Sequence, residues 1–71
     1  MKKISVSLSG HQTSISLEED FIVALNAIAK HDKVSVASIV QDIDSKRSPD
    51  SNLSSAVRLY ILRRYMQLAK L

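Results

Sequence analysis

GHQTSISLEED, residues 10 to 20, joins two kinds of periodicity without a gap. From Gln12 to Leu17 polar and apolar residues alternate, with Thr13, Ile15 and Leu17 on one face and Gln12, Ser14 and Ser16 on the other, as in a half-buried strand. From Ser16 onward the same stretch reads as a helix start. Ser16 and Glu19 have capping-box spacing, and Glu18, Glu19 and Asp20 lie where a helix dipole favours negative charge.

Working toward the N-terminus, Lys3 to Ser9 also alternates, but here the apolar residues Ile4, Val6 and Leu8 occupy even positions. An unbroken strand cannot change parity, because a one-residue slip moves every side chain to the opposite face. Gly10 must therefore reset the register. Two devices do this: a hairpin with Gly10-His11 as a type II′ turn, pairing Leu8 with Thr13, Val6 with Ile15 and Ile4 with Leu17, or a bulge at Gly10 within one longer strand. The hairpin is preferred.

Working toward the C-terminus, Phe21, Ala24, Leu25 and Ile28 form a helical stripe, giving a first helix over 17–32. Ser35 stands in an N-cap position, with Val34 and Ile39 placed as a hydrophobic staple. Val36, Ile39, Val40 and Ile43 supply the inward row of a second helix over 35–45. DSKRSPDSN is a polar loop holding the one proline, after which Ser51 or Asn52 caps a third helix over 52–70. That helix carries Leu53, Val57, Ile61, Tyr65 and Leu68 on one side and Leu59, Leu62 and Met66 nearly opposite. Two apolar sides need two neighbours, and the second neighbour is read as another copy of the chain.

The 71 residues form a single domain, and a domain of this size buries only about 60% of the surface its unfolded chain exposes. With no cysteine to cross-link it and His11 and His31 isolated, neither disulfide nor metal is available, and self-association remains. Ten basic against seven acidic residues give a net charge of +3, a mild bias toward a polyanion. The serine-interrupted N-terminus has no apolar core for export or a membrane span, so the expectation is a soluble cytoplasmic protein. No nucleophile arrangement, phosphate loop or ligand cluster is present; no enzyme, cofactor or metal is expected.

Strand, helix and a serine-capped second helix in this order resemble the ribbon-helix-helix family of MetJ/Arc-type DNA-binding proteins. The general resemblance covers about Gln12 to Ile43. GHQTSISLEE followed by NLSSAVRLYIL is similar to a small bacterial branch carrying a third helix, and this covers most of the chain. The resemblance implies a mostly α fold with a short N-terminal β ribbon, assembled as an intertwined homodimer or a higher even oligomer. Its ribbon would enter the DNA major groove, which at about 12 Å admits one. Gln12, Ser14 and Ser16 would face bases. Lys2, Lys3, Lys33 and the helix N-terminus at Ser35 would meet phosphates. Ile15, Leu17, Phe21, Leu25, Ile39, Ile43, Leu59 and Leu62 would form the dimer core. The function implied is a transcriptional regulator, a repressor. The alternative is a dimeric interaction module holding a partner protein, as an antitoxin or assembly adaptor does.

Overall fold

The computed structural model describes all 71 residues. Two strands, β1 (Lys2–Leu8) and β2 (His11–Leu17), form an antiparallel hairpin, followed by α1 (Glu19–Asp32), α2 (Val36–Lys46) and α3 (Leu53–Leu68). The parity change is resolved by the hairpin and not by a bulge.

The turn residues are Ser9 and Gly10, with φ of 49° and 82°. Two positive φ values are the mark of a type I′ turn, whose twist matches that of the strands. This corrects the expected Gly10-His11 turn. Leu8 pairs with His11, Val6 with Thr13, Ile4 with Ile15 and Lys2 with Leu17, a shift of two residues that leaves every side chain on its expected face. The physical reason lies outside the hairpin. With Ser9-Gly10 in the turn, the backbone groups of Ser16 are directed away from β1, where α3 binds both of them: the Ser16 N–H donates to Ser54 Oγ at 3.0 Å and the Arg58 guanidinium donates to the Ser16 carbonyl at 3.2 Å. The alternative turn would direct those groups inward at β1.

The same contact moves the start of α1. Ser16 remains in the strand, and the N-cap is Glu18, whose carbonyl accepts from Phe21 and Ile22. Its carboxylate makes no cap bond because it accepts from Arg58 Nε at 2.8 Å. The expected capping box therefore does not form. The other two expected caps do: Ser35 Oγ accepts from the Ser38 N–H at 3.0 Å and Asn52 Oδ1 from the Ser55 N–H at 3.2 Å. The α1 to α2 connection is closed by Lys33, at φ 58°, with the Val34 N–H donating to the Ala29 carbonyl, a Schellman-type end built on a non-glycine residue.

The apolar face of the hairpin packs on the helices in one core of Val6, Leu8, Ile15, Leu17, Leu25, Ile28, Ala29, Ile39, Val40, Ile43, Val57 and Ile61. Ile15, Leu17, Leu25, Val40 and Val57 are essentially sealed from water, each such side chain contributing about 1.5–3 kcal/mol. Of the eight residues expected in a shared dimer core, Ile15, Leu17, Leu25, Ile39 and Ile43 are buried within one chain, Phe21 is half-buried, and Leu59 and Leu62 are exposed. A single chain supplies both strands, and α3 supplies the third wall. On α3, Val57 and Ile61 face inward as expected, while Tyr65 and Leu68 of the same row lie beyond the core and are exposed.

Candidate nucleic-acid interface

Opposite the core, the hairpin presents Lys3, Ser5 and Ser7 from β1 and Gln12, Ser14 and Ser16 from β2. Cross-strand neighbours are Lys3 with Ser16, Ser5 with Ser14 and Ser7 with Gln12. All are exposed except Ser16, which is partly covered. This face contains one cation, one carboxamide, four hydroxyls and no carboxylate. Hydroxyls and amides both donate and accept, so the row can match either kind of group on a base edge.

The hairpin is held at both ends. At its tip the Ser9 hydroxyl donates to Gln41 Oε1 of α2 at 3.1 Å. At its base, Ser54 and Arg58 of α3 hold Ser16. The carboxylates nearest the base are engaged: Glu18 accepts from Arg58, which holds its carboxyl below the ordinary range, and Glu19 pairs with Lys2 at 2.9 Å. Lys2 thus lies on the parity of the core face, beside a carboxylate, whereas Lys3 lies on the polar face and makes no ion pair. Lys33 is exposed and likewise unpaired. A groove of about 310 Å³ lined by Ile4 to Ser7 of β1 and by Val36 and Ala37 puts the start of α2 alongside β1. The Ser35 cap, one residue before Val36, therefore lies near β1.

Away from this face, α3 is pinned to both ends of α1. Arg58 reaches Glu18 near the start, and Arg64 forms a two-bond fork with Asp32 at the end, at 2.6 and 2.9 Å. The fork and a bond from His31 hold the Asp32 carboxyl far below its usual range, and Asp32 together with the Tyr60 hydroxyl raises the Arg64 guanidinium. In sequence these arginines read only as the polar side of a helix. Their partners lie 32 to 40 residues away, and nothing in the local pattern points there. Ser54 and Arg58 are the residues of the interface that sequence reasoning missed, together with Ser5 and Ser7, whose alternation was visible but whose placement beside Ser14 and Gln12 needed the register. No group of three or more His, Cys, Asp or Glu side chains is arranged to hold a metal, and no helix is long and apolar enough to cross a membrane.

A two-stranded ribbon with a polar outer face, seated on helices whose second member begins beside it, is the architecture of a groove-reading module. A family model, the ribbon-helix-helix domain, matches residues 1–65, and the chain belongs to that family. Ribbon-helix-helix domains bind DNA as dimers, in transcription regulators and antitoxins. Neither the curated proteins nor the solved structures contain a match to this chain.

Proposed function

We propose that this chain is a sequence-specific DNA-binding regulator, a transcriptional repressor, that works as a homodimer and inserts a β ribbon into the major groove. Gln12, Ser14 and Ser16 meet base edges. Lys2, Lys3, Lys33 and the capped N-terminus of α2 at Ser35 meet phosphates. The observation that carries this reading is the outer face of the hairpin: solvent-facing and free of carboxylates, it offers Gln12 and Ser14, whose side chains make no bond within the chain. Glutamine can pair with adenine through two hydrogen bonds, accepting one from N6 and donating one to N7, and serine suits several partners. With no arginine on the face, discrimination between sites is modest. The exposed row Leu59, Leu62 and Met66 on α3, 38–52% accessible, is where two copies join, which leaves the ribbons free.

That same apolar row supports the second reading, a module that holds a partner protein. Salt separates the two. Three lysines per chain make six phosphate contacts per dimer and imply a slope near −5, so affinity for duplex DNA falls by about a thousandfold over a fourfold rise in salt. Burial of a partner's apolar surface on α3 responds little to salt. A titration of the full chain against mixed-sequence duplex at about 50 and 200 mM salt tests the reading; absence of binding at the lower salt refutes it.

A further inference from the structure

Family members commonly build their ribbon from one strand of each subunit, and the resemblance places the reading strand at β2. The outer edge of β2 is open for such pairing. In this register the outward backbone groups of β2 belong to Gln12, Ser14 and Ser16. Those of Ser16 are taken by α3, while those of Gln12 and Ser14 bond to nothing within the chain. A second copy paired along Gln12 and Ser14 leaves the polar faces of both hairpins free for DNA. The result is a four-stranded sheet with the two copies of β2 at its centre and β1 outermost on each side. At about 4.8 Å per strand, β2 runs about 2.4 Å from the midline and β1 about 7.2 Å, while the wall of a major groove about 12 Å wide stands about 6 Å out. β2 therefore lies over the bases and β1 over the sugar-phosphate backbone.

We propose that the polar face of β1 is a phosphate-binding row, in which the Ser5 and Ser7 hydroxyls donate to phosphate oxygens beside Lys3 while base reading stays with β2. This deepens the DNA-binding reading and rests on it. Ser5 and Ser7 are exposed and share the face of Lys3. Neither hydroxyl is spent on an internal bond, and the row holds no carboxylate to repel a phosphate. Serine suits the wall of the groove, because its hydroxyl offers a donor and its short side chain lets the strand come close. Contacts of this kind fix register and orientation without carrying sequence. The neighbouring element points the same way. Ser5 and Ser7 line the groove of about 310 Å³ together with Val36 and Ala37, so the start of α2, itself a phosphate-facing helix end in this reading, flanks β1. The β1 row and the α2 N-terminus then hold one stretch of DNA backbone between them.

The test measures the affinity of the full chain for two duplexes, one of A·T pairs only and one of G·C pairs only, with salt slopes and melting midpoints recorded alongside. Ser5→Ala and Ser7→Ala combined in one variant weaken binding to both duplexes by the same factor, about tenfold or more, since four hydrogen bonds per dimer are lost at about twofold or more each. Gln12→Ala instead changes the ratio between the two duplexes, because glutamine favours adenine. Ser7→Lys, at an exposed position, strengthens binding to both and steepens the salt slope by about 2, from two added phosphate contacts per dimer at about 0.9 each. A double-alanine variant that binds both duplexes as the parent does overturns the proposal, and so does a loss confined to one duplex, which puts β1 on bases; in either case DNA binding itself stands. If the double variant loses folded fraction, an unchanged slope for Ser7→Lys overturns the proposal in its place. A parent chain that binds neither duplex removes the DNA-binding reading and this row with it.

Discussion

Leu17→Ala separates a core closed within one chain from a core shared between two. Leu17 is the last residue of β2 and is 0% exposed, packed where the hairpin meets the helices. Truncating a buried leucine costs about 2–5 kcal/mol, the forfeited transfer energy plus the cavity left behind. A domain of this length has roughly 4–10 kcal/mol of total stability, so the variant loses about a fifth or more of it. With about 4–8 °C per kcal/mol for a domain of 60–100 residues, a mid-range loss of about 3 kcal/mol lowers the melting midpoint by about 12–24 °C. The assay is far-UV circular dichroism with sedimentation at matched concentrations, carried down to dilutions at which the chain sediments at its monomer mass of 7.9 kDa. The expected result is a cooperative melt of that monomer and the same decrement for Leu17→Ala throughout the monomeric range. If the core were shared, each tenfold dilution would cost about 1.4 kcal/mol, and helical signal would disappear in step with dimer mass. That outcome would refute the assignment of Leu17 and Ile15 to an interior closed by one chain.

Gly10→Ala lowers stability by about 1–2 kcal/mol through backbone strain alone, since Gly10 sits at φ +82° and an added Cβ meets nothing within 4 Å; a thermal melt showing no change would place the turn elsewhere. Lys33→Gly moves two readouts in opposite directions: it relieves a left-handed lysine at φ 58° and stabilises by up to about 1 kcal/mol, while affinity for DNA falls because a phosphate-facing cation is gone. Rising midpoint with unchanged affinity would remove Lys33 from the interface. The Asp32 carboxyl is held below its unfolded value by Arg64 and His31, so its stabilising effect is present above its unfolded value near pH 3.9 and is lost as pH falls below that. The acid limb of a stability against pH curve is therefore shallower in Asp32→Asn than in the parent, and an identical limb would show that the fork contributes nothing to folding.

The order of elements, the faces of both strands, the caps at Ser35 and Asn52 and the two apolar rows of α3 were all legible in the residues, because alternation, helical spacing and capping chemistry are local and each is written within a few positions of where it acts. Even the parity change at Gly10 announced a device that resets the register. What local pattern left open was which turn, which edge and whose strand. Two turns give the same faces, so alternation cannot choose between them; the choice falls to Ser54 and Arg58, bonded to Ser16 from 38 and 42 residues away. Likewise an apolar strand face states that something must cover it, without stating whether the cover is a second chain or a third helix. Tertiary packing places α3 there within the chain, because Val57 and Ile61 join Ile15 and Leu17 in one core, and a wall tethered to the same chain covers the hairpin without the entropy cost of bringing two molecules together.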